Sequence, residues 1–134
     1  MKKFKILPHT ADLKIQAYGR TKEELFLNML NGMSEGQKPE VLPEKIRREI
    51  KINSPDLETL LVDFLSEALY LSQVNKEVYF QVKFKKFSEN EIEGELIGQK
   101  VERFGEDIKA VTYHGLDIHQ EKDEIWKAIV LFDI

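Results

Sequence analysis

Hydrophobic and polar residues alternate along much of the chain, which is the pattern of β-strands with one buried face. In residues 12–18, for example, Leu13, Ile15 and Ala17 fall on one side and polar residues on the other. Extended or alternating stretches cover residues 4–7, 12–18, 45–53, 78–87, 92–98, 109–113 and 125–132. The last of these is apolar on both sides, so we expect it to lie in the interior of its sheet.

Two other stretches repeat their apolar residues at helical spacing. The first begins at Thr21, which forms a capping box with Glu24, and predicts a helix over residues 21–34. The second begins at Ser54, a predicted N-cap followed by proline, and predicts the main core helix to about residue 73.

The segments between these elements are predicted to be loops or turns. Residues 36–43 contain one glycine and two prolines, and residues 101–107 are polar. His114-Gly115 is expected to break a strand that begins at Lys109 and resumes at Leu116.

The order strand, helix, strand, helix and then several antiparallel strands predicts an α+β fold. Two main helices would pack on an antiparallel or mixed β-sheet. The length of 134 residues fits a single domain, residues 1–134, and the pattern also allows an inserted subdomain around residues 36–100. The two strand–helix–strand passages suggest a distant internal duplication. Periodicity leaves open whether there is one sheet or two.

Composition excludes several classes of function. Without cysteine there is no disulfide scaffold, thiolate zinc site or cysteine nucleophile. The chain has 20 basic and 24 acidic residues, a net charge of −4, which argues against extensive binding to a phosphate backbone. No apolar run reaches the ~18 residues of a membrane helix, so we expect a cytoplasmic protein without a membrane partner.

A polar segment, His9-Thr10-Ala11-Asp12, precedes the first alternating strand. It places small polar groups and an acid where a loop meets a sheet. On these residues alone, an ordinary turn in which Thr10 and Asp12 bond to the backbone is the simpler interpretation.

A second unusual segment runs from Lys109 through an apolar strand to Tyr113-His114-Gly115. Gly115 can adopt a backbone conformation that other residues avoid. By residue type alone, Lys109 is a solvated strand end and His114 a turn residue.

The last two residues place carboxylates close together. Asp133 is followed by Ile134, whose α-carboxylate is charged at neutral pH. If Asp12 lies beside them, three negative charges share a small space and must either protonate or recruit a cation. Oxygen ligands of this kind suit Ca²⁺ or Mg²⁺. A frayed acidic tail is the alternative, although the apolar last strand argues against it.

Taken together, these three segments and the helical run Leu60-Leu61-Val62-Asp63-Phe64-Leu65-Ser66-Glu67-Ala68-Leu69-Tyr70-Leu71 resemble the archease family. The resemblance implies an accessory protein of the RNA ligase that joins tRNA halves during splicing. Such a protein is a chaperone-like activator rather than an enzyme: it promotes the ligase–guanylate intermediate and multiple turnover. RNA would be contacted only indirectly.

The resemblance also implies roles for individual residues. Asp12, Asp133 and the terminal carboxylate of Ile134 match calcium-binding positions, with Mg²⁺ or Mn²⁺ as alternative ions. Lys109 matches a lysine needed for ligase activation. Supporting residues without a definite role are His9, Thr10 and His114.

Two other classes of function remain open. One is a small phosphohydrolase that depends on a divalent metal bound by the carboxylates. The other is a plain protein-binding module or chaperone associated with tRNA modification, in which the acidic residues are structural.

Overall fold

Two α-helices and seven β-strands form within residues 2–7 and 12–134, the part of the chain that this computed structural model describes. In chain order they are β1 (Phe4–Leu7), β2 (Asp12–Gly19), α1 (Lys22–Gly36), β3 (Pro39–Asn53), α2 (Leu57–Asn75), β4 (Glu77–Phe87), β5 (Glu91–Phe104), β6 (Ala110–Gln120) and β7 (Trp126–Asp133). The predicted α+β class is confirmed.

The strands form two antiparallel sheets. The first has the order β1-β2-β7-β6, and the second has the order β3-β5-β4. The last strand, β7, lies in the interior of the first sheet, as its two apolar sides predicted. The second sheet and α2 lie within residues 39–104, but an inserted subdomain, the single-domain assignment and the internal duplication stay predictions.

Helix α1 begins as the capping pattern predicted. The Thr21 Oγ1 accepts a hydrogen bond from the Glu24 backbone N–H at 3.1 Å. The Glu24 carboxylate in turn accepts one from the Arg20 N–H at 3.0 Å. Backbone donors at the helix start are thereby paired. The helix then buries an apolar face that includes Leu25, Phe26, Met29, Leu30 and Met33.

The predicted cap of α2 was wrong: Asp56, not Ser54, is its N-cap. The Asp56 carboxylate accepts a hydrogen bond from the Thr59 N–H at 2.7 Å. The Ser54 hydroxyl points elsewhere and donates to the Asp63 carboxylate, also at 2.7 Å. Serine and aspartate are both good caps, so composition could not decide between them. The helix continues to Asn75, two residues beyond the predicted end.

Two predicted loops were wrong in part, because they contain strand residues. Strand β3 begins at Pro39, which pairs with Phe104 at the end of β5. Pro39 is tolerated because it is the first residue of an edge strand, where a missing N–H does little harm. The register shifts between Val41 and Lys45, so the proline-containing stretch forms an irregularity within the strand.

The hydrophobic core joins both helices to both sheets. Phe26 of α1 lies 5.7 Å from Phe64 of α2 and 5.0 Å from Phe87 of β4, measured between ring centroids. Phe84 extends this aromatic group, at 6.1 Å from Phe64. Aromatic pairs at these distances stabilise a core beyond the area they bury.

A buried carboxylate ties the three strands of the second sheet together. Glu77 of β4 is 0% exposed. Its oxygens accept two hydrogen bonds from Arg48 of β3 at 2.9 and 2.7 Å, and one from the Tyr79 hydroxyl at 2.8 Å. Lys100 of β5 lies 3.4 Å away. Burial alone would raise the pKa of Glu77, but the hydrogen bonds from Arg48 and Tyr79 outweigh it and hold the pKa below its ordinary value.

We predict that Glu77→Gln lowers the free energy of unfolding by about 2–4 kcal/mol, because it disrupts a buried charge network. Glu95→Gln is the matched control in the same sheet. Glu95 pairs with Arg47 at side-chain exposures of 19% and 69%, so the pair is in contact with solvent and this variant should lose less than about 1 kcal/mol. Urea denaturation at neutral pH measures both.

The same network predicts a pH dependence. The folded pKa of Glu77 lies below its ordinary value of 4.5, so its stabilising contribution is present above that pH and is lost as the pH falls through the folded pKa. The stability difference between the wild type and Glu77→Gln should therefore narrow on acidification below 4.5. A difference that widens in acid would contradict this assignment.

Candidate functional site

The first residue of β2 and the last residue of β7 lie directly opposite each other. Asp12 pairs with Asp133, and the register continues without a shift to Gly19 opposite Trp126. Residues directly opposite on antiparallel strands project their side chains from the same face, with Cβ atoms about 4.5–5.5 Å apart. The structure thus brings the two predicted aspartates together.

Lys109 lies at the same end of the first sheet. Its backbone N–H donates a hydrogen bond to the Asp133 carbonyl oxygen at 2.7 Å, and the next residue, Ala110, pairs with Asp133 in β6. The Lys109 side chain is exposed. We call Asp12, Asp133 and Lys109, together with Ile134, the tip.

Ile134 is held at the tip by hydrophobic packing. Its side chain is partly buried and packs against the core of the domain. This packing holds Ile134 against the domain.

The register places two carboxylates at one end of the first sheet. Two carboxylates that face each other across neighbouring strands repel, and a cation between them removes the repulsion. Oxygen ligands of this kind suit Ca²⁺, which takes six to eight of them. Within residues 2–7 and 12–134, no three His, Asp or Glu side chains come together as a metal site. Asp12 and Asp133 would therefore need further ligands, such as the Ile134 carboxylate, water or a partner.

Of the remaining predicted residues, the structure describes only His114. His9 and Thr10 fall outside the described residues, so their supporting role stays a prediction. His114 is exposed on β6, in a stretch where the pairing with β7 is interrupted between Thr112 and Asp117. It is not a register partner of Asp12 or Asp133.

One contact between β6 and α2 was not predicted from the sequence. The Tyr113 hydroxyl donates to the Asp63 carboxylate at 3.2 Å, joining positions 50 residues apart. Each residue belongs to a segment that carries the archease resemblance, but nothing in a single sequence predicts that two such distant positions touch.

Comparison with known proteins shows the family to which the chain belongs. The model of the "Archease protein family (MTH1598/TM1083)" matches residues 4–134. An archease from Methanosarcina barkeri is 41% identical over 99% of this chain and 97% of its own length. One from Pyrococcus furiosus is 33% identical over 100% of both chains. The chain belongs to the archease family.

Solved structures show the same fold. Methanobacterium thermoautotrophicum protein 1598 superimposes with a TM-score of 0.73 at 30% identity, covering 100% of both chains. An archease from Thermotoga maritima, named as a possible chaperone, has a TM-score of 0.70 at 25% identity, covering 97% of this chain and 96% of that one.

Among the described residues, neither α1 nor α2 is long and apolar enough to span a membrane.

The pairing of Asp12 with Asp133 predicts how a change at Asp133 affects stability. In a metal chelator, Asp133→Asn should be as stable as the wild type or more stable by about 0.2–1 kcal/mol, because it removes a like charge opposite Asp12. Any gain should shrink at high salt, which screens exposed charges. Chemical denaturation measures the free energy of unfolding of this variant. Asp107→Asn, which changes an exposed aspartate in a loop, is the control. A loss above about 1 kcal/mol in Asp133→Asn would contradict the repulsion.

Proposed function

We propose that this protein is an accessory activator of the RNA ligase that joins tRNA halves during splicing. It promotes formation of the ligase–guanylate intermediate and multiple turnover, and the ligase carries out the chemistry. The observation that carries the proposal is the meeting of Asp12, Asp133 and Lys109 at one end of the first sheet. Membership of the archease family supports it.

We further propose that the tip holds a divalent cation. Ca²⁺ is the first candidate, with Mg²⁺ or Mn²⁺ as alternatives. Asp12, Asp133 and the α-carboxylate of Ile134 would hold it. Three carboxylates leave part of a calcium coordination sphere open. When bound, the cation would neutralise the carboxylates and would attract oxygen ligands of the ligase or its guanylate.

Lys109 supplies a fixed positive charge at the edge of this site. Its backbone is pinned by the hydrogen bond to Asp133, whereas its exposed ammonium group can reach outward. A lysine is a mobile point charge that suits a phosphate. Lys109 would therefore contact a phosphate in the ligase active site or balance the carboxylates when the ion is absent.

The first test reconstitutes the protein with the RNA ligase of the same genome, GTP and a divalent ion, and follows guanylylated ligase over time. We expect Asp12→Asn, Asp133→Asn and Lys109→Ala each to reduce stimulation at least about tenfold, equivalent to roughly 1.4 kcal/mol in the barrier. Lys122→Ala, at an exposed lysine in the turn before β7, is the control and should keep full stimulation.

Two results of this assay would contradict the proposal. Full stimulation by all three tip variants would remove the tip from the mechanism. Turnover of GTP or RNA by the protein without a ligase would instead favour a small metal-dependent phosphohydrolase.

The second test separates the metal-bearing tip from a plain binding module. Calcium at about 100 times its Kd should add roughly 2.7 kcal/mol to the stability of the wild type and so raise its melting temperature. Asp12→Asn and Asp133→Asn should lose most of that increase. If Ca²⁺, Mg²⁺ and Mn²⁺ leave the melting temperature of the wild type unchanged, a protein-binding module or chaperone is favoured. The Thermotoga maritima relative is named as a possible chaperone.

A further inference from the structure

Tyr113 is attached to helix α2 although its ring is exposed. The side chain is 55% exposed, yet its hydroxyl donates to one oxygen of Asp63. The other Asp63 oxygen accepts a hydrogen bond from Ser54 at 2.7 Å. Partial burial and the neighbouring Asp63 charge raise the pKa of Tyr113 above its ordinary value. Asp63 is thereby fixed from both sides.

The pairing of β6 with β7 is interrupted at Tyr113. Strand β6 pairs with β7 up to Thr112, opposite Leu131, and resumes at Asp117, opposite Ile129. Four residues of β6 therefore stand against one of β7. We call residues 113–116 the β6 excursion.

The excursion is anchored at both ends and open in the middle. Tyr113 is bound to α2 at one end, and Leu116 packs against the hydrophobic core at the other. Between them, His114 is exposed, and a Cβ at Gly115 would meet nothing within 4 Å. Gly115 has a φ of 66°, a left-handed conformation that glycine adopts at little cost.

The excursion lies within reach of whatever binds the tip. Lys109 and His114 are five positions apart in the chain, so they are separated by at most about 18 Å. A protein interface of standard size covers roughly 800 Å² on each partner, a patch about 30 Å across. An interface of this size that includes the tip is therefore large enough to include the excursion as well.

The chemistry of the excursion favours a protein over RNA. Exposed tyrosine is enriched at protein interfaces, where it combines a large apolar surface with a polar group. The Asp63 carboxylate beside the Tyr113 hydroxyl would repel a phosphate backbone.

We propose that Tyr113 is a positioning residue: it holds the β6 excursion against α2, so that His114 meets the RNA ligase when the tip enters the ligase active site. This inference rests on the proposed function and names a second contact for the same partner. Holding the segment in place before binding lowers the entropy lost on association. The hydroxyl therefore affects affinity for the ligase rather than the rate of guanylylation within the complex.

The test varies the concentration of Tyr113→Phe in the guanylylation assay, with no RNA present. The half-saturating concentration should rise about 3- to 10-fold, the range expected for one hydrogen bond, while the maximal rate stays at the wild-type level. His114→Ala should also raise the half-saturating concentration. Tyr70→Phe is the matched control, since Tyr70 is 58% exposed on α2, and it should change neither value.

A second measurement checks the physical cause. Amide hydrogen exchange in residues 113–116 should be faster in Tyr113→Phe than in Tyr70→Phe, with equal melting temperatures. A half-saturating concentration of Tyr113→Phe equal to that of the wild type would overturn the inference. A decrease in the maximal rate alone would overturn it as well. An effect seen only during RNA joining would overturn it in favour of an RNA contact. No stimulation by the wild type would instead refute the proposed function, and the inference with it.

Discussion

The structure depends on the register between β2 and β7. These two interior strands pair over eight positions, and buried Ile15 and Val130 face each other in the middle of the ladder. A slip of one residue would turn buried side chains to solvent, so the hydrophobic pattern locks the register. The same register sets Asp12 opposite Asp133. The packing that fixes the register therefore also fixes the relative position of these two aspartates.

Stability and candidate chemistry are separated in the fold. The second sheet carries the buried network around Glu77, which no element of the tip touches among the described contacts. The first sheet ends in the tip. Helix α2 connects the two regions, because Phe64 packs with the aromatic group of the core while Asp63, one residue before it, holds the β6 excursion.

Much of the fold could be predicted from local patterns, but contacts between distant residues could not. The alternation of Leu13, Ile15 and Ala17 predicted β2, and the two apolar sides of the last stretch predicted an interior strand. Periodicity carries no information on pairing partners, so the exact partner of Asp12 required the structure. The cap of α2 was missed because Ser54 and Asp56 compete with equal chemistry.

The most direct test of the central claim is a double-mutant cycle on calcium affinity, measured by titration calorimetry of the wild type, Asp12→Asn, Asp133→Asn and the double variant. Two ligands of one ion act as a unit, so their effects are not additive. We predict that each single variant weakens calcium binding strongly and that the double variant is scarcely weaker than either. Unchanged affinity in the single variants, or losses that simply add, would contradict a shared ion at the tip.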